Sequence, residues 1–242
     1  TAYAMIDNSV YVEAGGYRGL SNRWLNNLGM GEEATSYLQQ AVPYFRLAID
    51  RDLGAHHLHA GSLLLRATAR PDPTQSVDDH YTDIGIDGMY QYFDGGAHSF
   101  TLNTMVLHER RALDDTWVGG GAQNLRSHLS TSTIEATYAY RSTYALSLGA
   151  FDIGGSADQL LYAGGAFTGS ATGRPDTRGY VLQAEYIPFG KATSPGRNWL
   201  NVRLGLQYTF YELFNGSRQN YDGAGRNASD NNTLFTYAWF MF

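Results

Sequence analysis

An alternation of apolar and polar residues with a period of two recurs along almost the whole chain. Over residues 200–211 every second side chain is Leu, Val, Tyr or Phe, and most residues between them are polar or glycine. Successive side chains of a β-strand point to opposite faces, so this pattern predicts a strand with one apolar and one polar face. The same alternation appears around residues 84–92, 133–140 and 180–186.

Ten candidate strands follow from this alternation. They lie near residues 8–19, 41–50, 55–68, 81–93, 98–110, 128–140, 143–153, 178–189, 199–213 and 232–242. The connections between them alternate in length. Short connections contain "RDLGA", "DGGA", "RS" and the somewhat longer "GKATSPGRN", whereas residues 20–40, 69–80, 111–127, 154–177 and 214–231 form long polar segments.

This organisation predicts an all-β fold, an antiparallel transmembrane β-barrel of the outer-membrane type. An even number of strands, tight turns at one end and long loops at the other are typical of such barrels. A soluble β-sandwich or a closed soluble barrel is the alternative, but it gives no reason for long loops at one end only. No run of apolar residues reaches the ~18 to 20 that a transmembrane helix needs, and the mean hydropathy is -0.34.

The last strand ends in "NTLFTYAWFMF", and every second residue back from Phe242 is apolar except for one threonine: Phe240, Ala238, Thr236 and Leu234. A terminal phenylalanine after alternating apolar positions resembles the insertion signal of Gram-negative outer-membrane barrels. That resemblance implies outer-membrane lipid and the barrel-assembly machinery as partners. A buried last strand of a soluble protein is the alternative.

Composition excludes several classes of function. The net charge is -6 and the 17 lysines and arginines form no basic run, so we expect no nucleic-acid partner. The chain has no cysteine, so it offers no disulfide, no thiolate ligand and no C-x-x-C-H attachment for haem. Its first residues lack a charged segment followed by an apolar one, so we expect that any signal peptide has been removed.

Three groups of residues could carry chemistry. The sequence "HHLH" places His57 and His59 on the same side of a strand, where two imidazoles could begin a metal site, but that strand offers no carboxylate. Amphipathic rings are common at the membrane interface near a hairpin, and this explains the histidines better, so we predict no metal ligands. We also predict no catalytic residues in the chain. The oxygen-rich segment 215–232 could bind calcium, but it lacks EF-hand spacing and reads equally well as an outer loop.

A hydrolytic site is the third possibility. The acidic residues and histidine of two neighbouring outer loops loosely resemble the arrangement of omptin-type outer-membrane proteases; these residues are Asp78, Asp79, His80, Asp114 and Asp115. Solvated loops account for the same residues, and their order matches no catalytic motif.

The predicted barrel assigns a direction to each strand residue. The polar side chains expected to face the lumen are Glu13, Arg46, Asp83, Asp87, Gln91, Asn103, Glu135, Gln183, Glu185, Arg203 and Gln207. Those expected to face lipid are Ile84, Leu148, Leu182, Leu204 and Leu206. An arginine at Leu204 should then cost about 2 to 4 kcal/mol if this position lies near the membrane midplane.

Several segments resemble the barrel part of fused outer-membrane monohaem cytochrome–porins, which serve as electron conduits in iron oxidation. The segments are "DNSVYVEAGGYR", "VPYFRLAIDRDLGAHHL", "YTDIGIDGMYQY", "GRPDTRGYVLQAEYIPFGK" and "VRLGLQYTFYELFNGSRQN". The resemblance implies a scaffold that surrounds a haem-bearing segment, with haem c and periplasmic electron carriers as partners. Because the cysteines are absent, the resemblance leaves two alternatives. Either the chain is the C-terminal part of a longer polypeptide, whose haem-bearing segment and further strands lie outside these 242 residues, or it is a cytochrome-free relative.

Three functions therefore remain open from the sequence. These are the scaffold of an electron conduit, a general or substrate-specific diffusion porin, and an outer-membrane hydrolase. In each case we expect the chain to form one domain in the outer membrane of a Gram-negative bacterium, with both of its ends in the periplasm.

Overall fold

A computed structural model describes residues 1–29, 38–163, 169–191, 193–194 and 199–242. Parts of three predicted connections, residues 30–37, 164–168 and 192 with 195–198, lie outside the described residues. The strands are β1 Ala2–Ile6, β2 Val10–Tyr17, β3 Val42–Leu53, β4 His56–Ala69, β5 Asp79–Phe93, β6 His98–Leu113, β7 Arg126–Tyr140, β8 Tyr144–Gly155, β9 Thr177–Tyr186, β10 Asn201–Leu213 and β11 Thr233–Met241. The helices are α1 Asn22–Asn27, α2 Asp114–Val118 and a short 3-10 helix, Ala228–Asn231.

The strands form a single antiparallel sheet in chain order, with eleven strands where the sequence predicted ten. The ten predicted strands correspond to β2 through β11, and the additional strand is β1. Within the described residues no strand pairing joins β1 to β11, so the sheet is open and closure into a barrel is not shown. Because the number of strands is odd, the chain enters β1 at one end of the strands and leaves β11 at the other end. The sequence predicted that both would lie at the same end.

Short and long connections alternate from β1 to β9, but the connection from β9 to β10, which the sequence predicted to be only somewhat longer than a turn, spans residues 187–200 and is longer than the connections from β4 to β5 and from β6 to β7. Two to four residues join β1 to β2, β3 to β4, β5 to β6 and β7 to β8. All these turns lie at the same end of the strands, and we call that end of the sheet the short-turn edge. Asp7 and Asn8 both adopt positive φ (49° and 49°) in the first turn, and Arg141 and Ser142 do so (51° and 50°) in the fourth. Such left-handed residues match the right-handed twist of the paired strands. The other long connections lie at the opposite end of the strands, which we call the long-loop edge.

The strand pairing divides the side chains into two faces, because directly opposed residues of antiparallel strands point the same way. The register puts all eleven side chains predicted to line a lumen on one face, here called the polar face. The five residues predicted to contact lipid lie on the other, the apolar face. The alternation weakens at the edge strands, since Tyr3 of β1 and Phe235 and Trp239 of β11 are exposed on the polar face.

The two faces differ in exposure in the opposite sense to a water-soluble sheet. Along β3 and β10 the residues of the apolar face are the exposed ones, and those of the polar face are mostly half-buried. Ile86 is 65% exposed and Leu148 is 58% exposed, although both lie within the paired sheet. In soluble proteins large aliphatic side chains are usually the buried ones. An extended apolar surface is therefore left uncovered.

Buried carboxylates tie neighbouring long connections together. Asp158, only 1% exposed, accepts backbone N–H bonds from Gln123, Asn124, Leu160 and Leu161 at 2.9–3.0 Å. Burial alone would raise its pKa, but these donors outweigh burial and hold the pKa of Asp158 below its ordinary value of 3.8. Asp158 thus joins the connection that precedes β7 to the one that follows β8.

Within the described residues, no helix has the length and apolar character needed to cross a membrane.

Candidate functional site

The polar face carries a strong excess of negative charge. Its strand residues include nine carboxylates and three arginines, and each of those arginines pairs with a carboxylate. The carboxylates are Glu13, Asp50, Asp52, Asp79, Asp83, Asp87, Glu109, Glu135 and Glu185, and the arginines are Arg46, Arg111 and Arg203. A surface of this composition attracts cations.

One ion pair crosses a whole strand near the middle of the sheet. The guanidinium Nη2 of Arg46 on β3 lies 2.7 Å from Oδ2 of Asp87 on β5, and both side chains are 21% exposed. Gly61 of β4 lies beneath them, and a Cβ there would come within 2.9 Å of both partners. The glycine therefore leaves room for the two side chains to meet above the strand that separates them.

A row of alternating carboxylates and imidazoles continues from this pair toward the short-turn edge. His59 Nε2 lies 3.0 Å from Asp87 Oδ2, and His59 Nδ1 lies 3.0 Å from Asp50 Oδ1. His57 lies 3.3 Å from Asp50 and 2.7 Å from Asp52, whose side chain is 85% exposed. These contacts connect a half-buried ion pair to the exposed end of a hairpin through a row of side chains on two neighbouring strands.

The carboxylates that contact His57 and His59 were missed in the sequence because they come from neighbouring strands. His57 and His59 do share one side of β4, as predicted, but Asp50 and Asp52 stand directly opposite them on β3. The tight turn in "DRDLGAHHLH" was the available signal, since it pairs residues at equal distances on either side of Gly54 and Ala55. Among the described residues, no set of three or more His, Asp or Glu side chains is arranged to hold a metal ion.

A second polar bridge spans a strand at the other end of the sheet. The hydroxyl of Tyr237 on β11 donates to Glu185 on β9, and Arg203 Nη1 of β10 lies 3.7 Å from the same carboxylate. Gly205 lies beneath the tyrosine, where a Cβ would overlap the ring Cζ. Both bridges link strands two apart, which requires that side chains on the polar face converge.

The residues considered for hydrolysis serve the loops instead. Asp79 is fully buried and accepts the backbone N–H groups of Asp115 and Thr116 at the start of α2. Asp115 accepts the N–H of Asp72 at 2.8 Å, and Asp78 pairs with Arg70. His80 projects from the apolar face, opposite to Asp79, and lies 3.2 Å from Thr68. Asp114 pairs with Arg126. The five residues thus form no acid–base group.

The segment considered for calcium also uses its oxygens internally. Asp222 accepts the N–H groups of Ala224 and Arg226, and Asn227 and Asp230 cap the 3-10 helix reciprocally. Tyr221 is fully buried and packs edge-on against Phe214, with ring centroids 4.8 Å apart. This connection is a folded unit with a small aromatic core.

The apolar face has an ordered composition along the strand direction. Aliphatic residues occupy its middle, here called the apolar band, and include Ile84, Ile86, Val106, Ile134, Leu148, Leu182, Leu204 and Leu206. Rings border the band at the short-turn edge, here called the aromatic belt: His56, Tyr90, Tyr92, His98, Tyr138, Tyr140, Tyr144 and Tyr186. The rings contact each other, and His98 Nδ1 lies 2.6 Å from the hydroxyl of Tyr138.

The C-terminal residues named as an insertion signal lie at the short-turn edge. Phe240 belongs to β11 and is exposed on the apolar face, opposite Val202. Phe242 follows the end of the strand and is fully exposed.

No protein-family model matches the sequence, and a search of curated proteins finds none that is similar to it. The resemblance to cytochrome–porins therefore stays a prediction.

Proposed function

We propose that this chain forms the wall of an outer-membrane β-barrel of the porin type, with the apolar face against lipid and the polar face along a water-filled passage. The observation that carries the proposal is the inverted exposure of the two faces. Hydrocarbon accepts the exposed apolar band, whereas water in a passage solvates the carboxylates and arginines of the polar face. The aromatic belt at one border of the band matches the preference of tyrosine for the membrane–water interface.

The proposal also requires that the two outermost strands of the sheet, β1 and β11, have partners. In hydrocarbon every backbone N–H and C=O needs a partner within the protein, so β1 and β11 must both find neighbouring strands. They can pair with each other, with strands from outside these 242 residues, or with another copy of the chain.

The charge of the polar face determines what the passage should conduct. Carboxylates outnumber arginines there, and rings of acidic side chains favour cations in channels. Glu135 is exposed at the middle of β7 on this face. We therefore propose a passage for small hydrated cations.

A reversal-potential measurement in planar bilayers under a potassium chloride gradient tests this function. The expected potential has the sign of a cation-selective pore and moves toward zero in Glu135→Gln. Asp7→Asn serves as the matched control, because it removes the same charge from an exposed turn where asparagine tolerates the left-handed conformation. Absence of conductance, or anion selectivity, would contradict the proposal.

The electron-conduit role implied by the resemblance requires haem from outside this chain. Covalent attachment of haem c needs cysteine thiols, and these 242 residues contain none, so the chain does not fit that group by itself. A haem stain and an intact mass of the protein from its source test this role. A haem-negative band near 26.7 kDa would contradict it.

A further inference from the structure

Cationic and imidazole side chains gather on the apolar face beyond the apolar band, at the long-loop edge. Arg66, Arg110 and His128 lie in one row across β4, β6 and β7, with Thr82 of β5 between the two arginines. His80 lies one row further out, and His108 one row nearer the band. We call Arg66, Arg110, His80, His108 and His128 the basic patch.

No acidic residue shares this face with the basic patch within β4 to β7, strands that the structure describes completely. The carboxylates of these strands all project from the polar face; they are Asp79, Asp83, Asp87, Glu109 and Glu135. The same four strands therefore carry negative charge on one face and positive charge on the other. Segregation of this kind means that internal ion pairing does not account for the patch.

The two arginines at the centre of the patch are free to bind an external anion. Both are exposed, and among the described residues no carboxylate lies within ion-pairing distance of Arg66 or Arg110. Two strand spacings separate them, which corresponds to about 10 Å between their backbones. Long side chains at this separation can converge on one anionic group or hold two neighbouring ones.

The surroundings of the patch indicate what kind of molecule carries the anion. A groove of about 290 Å³ adjoins it, lined by His128, Ser130, Ser132, Val106 and also by Asp152 of β8, whose carboxylate is paired with Arg178. Its hydroxyl groups suit a polar headgroup, while Ile84 and Ile134 begin the apolar band directly beneath. A ligand that fits both regions has an anionic head and apolar chains.

We propose that the basic patch binds the phosphate of a membrane lipid in the leaflet at the long-loop edge, with the acyl chains of that lipid on the apolar band. The inference rests on the proposed function, since it requires the apolar face to contact lipid. Guanidinium groups bind phosphate through charge-assisted hydrogen bonds, and a low-dielectric border strengthens them. The aromatic belt at the opposite border offers rings instead of a row of arginines, so phosphate binding is specific to one border.

Titration of the detergent-solubilised protein with phosphatidic acid tests the proposal, with diacylglycerol as the ligand that has acyl chains but no phosphate. We expect phosphatidic acid to bind more tightly than diacylglycerol. The variant Arg66→Gln/Arg110→Gln should weaken phosphatidic acid about tenfold or more, and higher salt should reduce the difference. The matched control Arg51→Gln/Lys191→Gln removes the same charge near the short-turn edge and should retain the wild-type affinity.

Two further arms separate the possible outcomes. Inorganic phosphate should compete only weakly; equal competition by phosphate, or equal weakening in both double variants, would overturn the assignment to a lipid headgroup. Flotation of the wild-type protein with phosphatidylcholine vesicles tests the proposed function independently. A protein that enters these vesicles but binds phosphatidic acid and diacylglycerol alike would refute the lipid-phosphate site alone, whereas failure to enter would refute both proposals.

Discussion

The polar and apolar faces of this sheet are built from the same strands, yet they use their side chains in opposite ways. On the polar face, Arg46 reaches over Gly61 to Asp87, and Tyr237 reaches over Gly205 to Glu185, so contacts join strands that are not neighbours. On the apolar face, Leu148 and Leu182 lie side by side and remain about half exposed. Side chains converge on one face and diverge on the other, which is the geometry of a sheet that curves toward its polar face.

This comparison shows that the exposure of the two faces is unusual for a sheet in water. A curved sheet in water would place its apolar side chains on the converging face, where they would bury one another. Here the converging face is polar, and the apolar side chains are left without cover. The cover must come from another medium or molecule, and lipid is the one that we propose.

The largest expected difference between the faces concerns a new charge on β10. Leu204→Arg places a guanidinium in the apolar band and should lower the free energy of unfolding by about 2 to 4 kcal/mol, if the band lies in hydrocarbon. Gln207→Arg, on the polar face of the same strand, should cost less than about 1 kcal/mol. Urea titration of the vesicle-reconstituted protein measures both. Equal costs would mean that the two faces meet the same environment.

A smaller effect should follow from filling the space beneath a bridge. In Gly205→Ala the added Cβ meets the ring of Tyr237, so the ring must shift and its hydrogen bond to Glu185 weakens, at about 1 to 2 kcal/mol. Gly88→Ala on the apolar face is the matched control, because the nearest atom to its Cβ is the methyl group of Thr104, at an ordinary contact distance of 3.4 Å. The same titration compares the two variants, and a Gly88→Ala cost as large as that of Gly205→Ala would argue against convergence on the polar face.

The ion pair above Gly61 should show a coupling of about 1 kcal/mol or less. Arg46 and Asp87 are each 21% exposed, so solvent screens part of their attraction. A double-mutant cycle with Arg46→Gln and Asp87→Asn measures the coupling. Additive effects would show that the two side chains meet without stabilising the sheet.

Acid should affect the long-loop edge before the strands, because a carboxylate holds the loops there. The pKa of Asp158 lies below its ordinary value, so its contribution is fully present above about pH 4 and is lost as the pH falls through the lower, folded-state pKa. Hydrogen exchange of residues 121–125 and 156–162 should accelerate over that range. The variant Asp158→Asn should exchange faster already at neutral pH, and its exchange should no longer depend on this protonation.

The sequence predicted most of the strands because their alternation is long and regular, and it predicted which residues share a face for the same reason. It missed β1, whose five residues "AYAMI" are apolar on both faces and therefore give no alternation. The turn at Asp7 and Asn8 was the remaining signal, since both residues tolerate positive φ.

The candidate site was less predictable because its contacts join strands far apart in the chain. Asp87 lies 41 residues from Arg46, and nothing local indicates that Gly61 separates them. The acidic loop residues, for which hydrolysis was only an alternative, were equally hard to interpret from the sequence. The oxygens of Asp79 and Asp115 accept backbone N–H groups, and no linear pattern reveals those contacts.

Accessibility along β10 tests the central claim, that lipid covers the apolar face and water the polar one. The chain has no cysteine, so Leu204→Cys, Leu206→Cys, Gln207→Cys and Thr209→Cys each give a single site for a spin label in the vesicle-reconstituted protein. Labels at 204 and 206 should collide mainly with oxygen dissolved in lipid, and labels at 207 and 209 mainly with a water-soluble nickel chelate. Similar accessibility at all four positions, or the reverse pattern, would contradict the account.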